Sequence, residues 1–229
     1  MISGRQIFKP EWPRIFLDNA LMQAIATLPV KSGKCLNVGC GIEGRYRELL
    51  ADYEVDGVDI AHPPQGKPMP WRYHRCDANK LPFADADFDL AVAIESFEHI
   101  EDNVHAIREI ARTLKPGGWC ILTTPAHWTW LFEFGRHGPH YYDLRALKDL
   151  IEKADLEICG QYAYGGAVFW CANLVKSWLS PFGIRLLGRY WWRVIDMALL
   201  PIYGLSRLTD RVLRFPASNW LVIAKKQGV

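Results

Sequence analysis

The six cysteines of this chain form no Cys-x-x-Cys pair and no spacing that suits zinc, which argues against a disulfide framework and a structural metal. Cys35, Cys76 and Cys120 instead sit in expected strands, where the residue behaves as a small apolar one. Neither sign of charge is in excess. Lys and Arg number 27 against 25 Asp and Glu, and a formal charge of +2 gives no general ground for a nucleic-acid partner. The N-terminal stretch lacks the uninterrupted apolar core of a secretory signal, because Lys9, Glu11, Arg14 and Asp18 break it. The uncharged run that includes Gln161 to Val175 falls short of the about 20 apolar residues a spanning helix needs. No internal repeat or low-complexity tract is evident. These absences lead us to expect a cytoplasmic protein that is not integral to a membrane and holds no metal.

What is present is a regular alternation. Half of the residues are apolar, and 229 residues suffice for one α/β domain with a full core. Short apolar runs expected as strands occur at 35–40, 55–60, 73–78, 88–94 and 119–125, from Leu156 onward, and at 219–226. Helical patterns are expected over 12–28, 44–52, 103–114 and 144–155, the last capped by Asp143. Strands separated by helices imply a parallel sheet with helices on both faces. About fifty residues, 166–217, interrupt that rhythm between the sixth and seventh strands, where only a few would be needed. We expect a helical insertion there. Ten Trp occur in the chain and five lie beyond residue 169.

The first strand runs into Gly39-Cys40-Gly41-Ile42-Glu43-Gly44. Glycines at such a turn let the backbone bend sharply and approach a ligand closely. Asp59 closes the second strand, fifteen residues after Gly44, where a carboxylate can accept both hydroxyls of a ribose. Up to this point a nicotinamide dinucleotide fits as well as a smaller nucleoside. Asp77 ends the third strand, placed to accept from the exocyclic amine of an adenine, and a dinucleotide has no particular use for it.

The segments CLNVGCGIEG, VDGVDIA and RCDANKLPFADADFDLAVAIESFEHIEDNVHAIREIARTLKPGGWCILTTP together resemble the class I S-adenosylmethionine (SAM) dependent methyltransferases, in the broad group that includes the quinone-biosynthesis enzymes. The likeness covers about residues 33–125 closely and extends loosely to the end. It implies a Rossmann-like α/β fold with seven strands in the order 3-2-1-4-5-7-6, flanked by helices, as one domain over 1–229. SAM is the implied cofactor, cradled by Gly39, Cys40 and Gly41. Asp59 would hold the ribose, Ile60 would flank the adenine, and Asp77 with Ala78 would touch its amine edge. Glu95, Ser96 and Phe97 would lie near the sulfonium. Asn37 stands where many relatives carry Asp, and the glycine loop is one residue longer than usual.

For chemistry that needs a base, His140 is the preferred candidate, with His99, His127 and His137 behind it, and Tyr141 and Tyr142 as lining of an acceptor pocket. Binding the substrate, or fixing the loop through a backbone hydrogen bond, is the competing role for His140. The insertion supplies the last expectation. Residues 176–214 carry a net +5, leaving −3 on the remainder, and Arg185, Arg189 and Arg193 recur at helical spacing. Such a helix suits a cap over the acceptor, which would be a small molecule or lipid-linked, and a peripheral contact with an anionic membrane, with a dimer contact as the alternative. Two other functions fit the residues: a SAM- or nucleotide-binding module without catalysis, and an NAD-dependent oxidoreductase.

Overall fold

The computed structural model describes residues 15–63, 68–129, 140, 142–166, 171, 175, 178–179, 182–191, 194–195, 197–199, 201–202 and 217–228. Its centre is a seven-stranded sheet: β1 (Gly33–Val38), β2 (Tyr53–Asp59), β3 (Arg72–Arg75), β4 (Phe88–Ile94), β5 (Leu114–Pro125), β6 (Leu156–Tyr164) and β7 (Asn219–Lys226). Spatial order is β3-β2-β1-β4-β5-β7-β6. The first five strands are parallel, and β7 runs antiparallel between β5 and β6.

The alternation of side chains along each strand builds two cores. Leu36, Val38, Ala91, Ala93, Leu122 and Val222 face one side. There α2 (Asn103–Thr113) and α3 (Leu144–Glu152) cover them through Ile107, Ile110, Leu147 and Ile151. Cys35, Leu90, Val92, Ile121 and Leu221 face the other, under α1 (Ile15–Thr27). Asp102 and Asp143 cap α2 and α3 by accepting from the His105 and Ala146 amides.

Three expectations about elements need correction. Residues 44–52 form a chain of turns rather than a helix, because their hydrogen bonds alternate between the three- and four-residue spacings (Arg47 N to Gly44 O, Leu50 N to Tyr46 O) and never settle into an α ladder. Cys76 lies just beyond β3 and is half-buried, whereas Cys35 and Cys120 are in strands and buried. In the inserted segment, 182–187 is helical, but Gly188 takes φ +54° and starts a 3-10 turn. Beyond it the Trp191 indole lies 2.0 Å from where a Cβ on Gly183 would stand. Eight residues of unbroken helix would separate those positions by about 12 Å, so one helical face does not run from Arg185 onward. The Arg189 side chain and Arg193 lie outside the described residues.

Candidate cofactor site

The carboxyl ends of β1–β4 open on a cavity of about 550 Å³ lined by residues 38–39, 58–60, 76–79, 95–96 and 99–102. That volume lies within the usual range of small-molecule sites. Gly39, at φ +66°, forms the tightest point: a Cβ there would stand 2.2 Å from the Ser96 Cβ. The Gly39 and Cys40 amides both donate to the Val58 carbonyl, at 2.9 and 3.1 Å, and Ser96 Oγ donates to the Val38 carbonyl at 2.9 Å. These bonds fasten the glycine turn to β2 and the β4 terminus to β1.

Asp59 organises the next step of the wall. Its Oδ2 accepts from the Gly41 amide at 2.8 Å and its Oδ1 from the Ala61 amide at 2.9 Å. Asp77 Oδ1 likewise accepts from the Asn79 amide at 2.9 Å and from its side-chain Nδ2 at 3.1 Å. Both carboxylates are therefore held in place by backbone donors, with the cavity beside them.

At the opposite end stands Glu95, at φ +49° directly after β4. Three strands fix it. Its amide donates to Thr123 Oγ1 on β5 at 2.9 Å, Tyr164 on β6 donates to Oε1 at 2.8 Å, and Asn219 Nδ2 on β7 donates to Oε2 at 3.4 Å. Burial, with the Glu95 carboxylate beside it, pushes the Tyr164 hydroxyl well above the ordinary tyrosine range, so it remains a donor.

Of the residues expected at a nucleoside site, Gly39, Asp59, Ile60, Asp77, Ala78, Glu95 and Ser96 line this one cavity, and Ile60 is strongly exposed. Cys40 and Gly41 belong to the adjoining loop without lining the cavity. Burial pushes the Cys40 thiol up to about 12, which leaves it without thiolate character at neutral pH. Phe97 is displaced from its expected position. It is fully buried in the core, 6.2 Å from the Tyr142 ring, and supports the loop from beneath. Asn37 is buried in β1, away from the lining.

The histidines separate as well. His99 lines the cavity, with Nε2 3.9 Å from a Glu98 carboxylate oxygen. His140 does not line it: its Nε2 lies 2.7 Å from the Glu101 carbonyl, which ties the chain at 140 to the post-β4 loop. That bond fits the loop-fixing alternative. His127 is exposed in a 3-10 turn, its amide bonded to the Tyr142 carbonyl, and His137 and Tyr141 lie outside the described residues. Tyr142 is core, not pocket lining: it is buried, and its hydroxyl accepts from the Asn103 side-chain Nδ2. Among cavity residues that sequence reasoning missed, Asn79 sits in a turn after β3, and Glu101 and Asp102 lie at the start of α2, Asp102 as its N-cap. Arg45, in the loop after Gly44, reaches the buried Asp18 of α1 at 2.8 Å.

The lining carries five carboxyl groups (Asp59, Asp77, Glu95, Glu101 and Asp102) and, among the described residues, no Lys or Arg. Such a wall attracts cationic ligands and repels phosphates.

Residues 36–122 match the family model of the methyltransferase domain. The chain is 34% identical to a cycloartenol-C-24-methyltransferase from Oryza sativa subsp. japonica, an alignment that covers 88% of this chain and 68% of that protein. It belongs to the class I SAM-dependent methyltransferases. A second relative in the family is the 27-O-demethylrifamycin SV methyltransferase of Amycolatopsis mediterranei, 36% identical over 42% of this methyltransferase-family chain and 40% of that one. The chain spans between 31% and 51% of the length of the first five curated relatives it matches. Among solved structures, the cyclase SpnF superposes with a TM-score of 0.65 at 19% identity, over 98% of this chain and 85% of that one. That likeness shows the shared fold and, since SpnF is described as a cyclase, that the fold by itself does not name a reaction.

SAM fits the cavity by its chemistry. A nucleoside with a positive sulfonium and ammonium suits a wall of carboxylates, and the cradle at Gly39 has no room for a side chain.

Proposed function

We propose that this chain transfers the methyl group of SAM to a small-molecule or lipid-linked acceptor. The observation that carries this reading is the acidic cavity at the carboxyl ends of β1–β4. A pyrophosphate held there would meet five carboxyl groups without a lysine or arginine, which disfavours NAD. When bound, SAM supplies a methyl group already activated on a sulfonium. The residues of the chain then bind and orient. Gly39 lets the backbone approach the ligand, Asp59 accepts from the ribose, Asp77 with Ala78 meets the adenine edge, and Ile60 flanks the ring. Glu95 and Ser96 stand at the reacting end. Alignment of this kind supplies roughly 7–11 kcal/mol of barrier reduction, so a base is secondary. Should the acceptor need one, His99 is the histidine that faces the cavity.

The residues 166–217 are read as a helical cap over the acceptor side that also contacts anionic lipid. Trp178, Phe182, Leu186 and Tyr190 are all more than half exposed, and Arg185 is exposed as well. Apolar and aromatic side chains left in solvent next to a net charge of +5 suit the interface of an anionic bilayer. No helix among the described residues is long and apolar enough to cross a membrane.

Thermal shifts with SAM, S-adenosylhomocysteine and NAD test the cofactor reading, because a ligand that binds only the folded chain raises its melting point. Stabilisation by NAD and not by the other two would overturn it. Methyl transfer from labelled SAM into fractionated extract tests catalysis, and binding without any transfer would leave a regulatory module instead.

A further inference from the structure

We propose that Glu95, positioned by Tyr164 and Asn219, selects the charged sulfonium of SAM over the neutral thioether of S-adenosylhomocysteine, and so favours release of the product. This inference rests on the SAM reading of the cavity.

The polarity of the site comes first. With Asp59 and Asp77 at the ends of β2 and β3, the nucleoside half of a ligand occupies that side, and its cationic half extends past Gly39 towards β4. The first side chain after β4 is Glu95. Its backbone at φ +49° is a conformation that non-glycine residues rarely adopt, and such strain persists only where surrounding contacts enforce it. Those contacts are present. Thr123 accepts from its amide, and Tyr164 and Asn219 donate to its two carboxylate oxygens. Each donor takes one carboxylate oxygen, so the group is held in a fixed place beside the cavity.

A fixed carboxylate near a charge that exists in one ligand and not in the other discriminates between them. SAM and S-adenosylhomocysteine differ by one methyl group and one positive charge. At an effective dielectric near 20, loss of a unit charge that a nearby fixed carboxylate attracts changes affinity by roughly tenfold or more. After transfer that attraction disappears, and the thioether keeps only the contacts to its nucleoside and amino-acid parts, which both ligands share. Tyr164 and Asn219 are the last residue of β6 and the first of β7. Both roots of the inserted segment therefore grip the same carboxylate.

The test is a pair of dissociation constants, for SAM and for S-adenosylhomocysteine, by calorimetry on the full chain. The wild type, Glu95→Gln, Tyr164→Phe and Glu95→Asp are compared after thermal melts establish that each is folded. We expect Glu95→Gln to weaken SAM by roughly tenfold and S-adenosylhomocysteine by less than about twofold. Tyr164→Phe should reduce the ratio of the two constants in the same direction by roughly threefold, since the charge stays but loses its anchor, and Glu95→Asp should restore part of it. Equal losses for both ligands in Glu95→Gln, or an unchanged ratio there, would overturn the inference while leaving SAM binding intact. A folded wild type that binds neither ligand would overturn the cofactor reading and this inference with it. Should Glu95→Gln fail to fold, Tyr164→Phe carries the comparison alone, and an unmoved ratio in it refutes the positioning role.

Discussion

Replacing Asp59 by Ala removes one carboxylate with three duties. In the structure its oxygens take the amides of Gly41 and Ala61, at 2.8 and 2.9 Å, and in the proposed complex they also take the ribose hydroxyls. The Ala61 amide is exposed and finds water when the carboxylate goes, whereas the Gly41 amide is part-buried. Hydrogen bonds to a charged acceptor are worth about 1.5–3 kcal/mol each, so the folded chain loses about 1–2 kcal/mol through the glycine loop. For a chain of this size that is a fall of about 2–8 °C in melting temperature. The ribose contacts add a loss of about 1–3 kcal/mol in SAM binding, which is roughly a 5- to 150-fold rise in dissociation constant. Calorimetry with SAM and S-adenosylhomocysteine should show the same factor for both, because the ribose is common to them. Asp59→Asn keeps one acceptor oxygen and should fall between the wild type and Ala. A melting temperature that drops while both dissociation constants stay put would refute the ribose assignment, and Asp59 would then serve only to brace the loop.

His140→Gln keeps a side-chain donor for the Glu101 carbonyl and should retain turnover within about tenfold, where loss of a general base would cost roughly 10²–10⁴ in steady-state assays. Arg112 holds Glu109 below the usual carboxylate range through hydrogen bonds. A depressed value means that this stabilisation is complete above about pH 4.5 and is lost as pH falls through the lowered value. The gap in urea midpoint between wild type and Glu109→Gln should accordingly close in acid, and a gap of equal size at neutral and low pH would contradict the pairing. For the inserted segment, flotation with anionic vesicles should decline steeply as salt rises and be weakened by Trp178→Ser/Phe182→Ser as well as by Arg185→Glu; a chain left unbound even at low salt has no lipid contact there.

The strands were legible because each is a short apolar run whose alternate residues meet different cores, as Cys35 and Leu36 do on opposite faces of β1. The cavity wall at β1–β3 was legible for a related reason: Asp59 closes β2, and Gly39 and Asp77 follow β1 and β3 within two residues. Residues 44–52 were misread because an apolar pattern suited to a helix is also satisfied by irregular turns that bury Tyr46 and Leu50. Phe97 and Tyr142 were misplaced because an aromatic side chain next to a site serves equally well as the floor beneath it. The anchoring of Glu95 was out of reach: it joins positions 69 and 124 residues apart, and only the antiparallel placement of β7 brings them together.

That contrast has a functional side. In the proposed complex the nucleoside end is assembled from the termini of β1–β3, which lie close together in the sequence and are specified by short motifs. The reacting end is assembled from the β4 terminus and the roots of the segment between β6 and β7. On the proposed reading, a segment between Tyr164 and Asn219 that binds the acceptor acts first on the carboxylate that its two roots hold. The acceptor of this chain is accordingly to be sought with variants of 166–217, and the cofactor with variants of the β1–β3 termini.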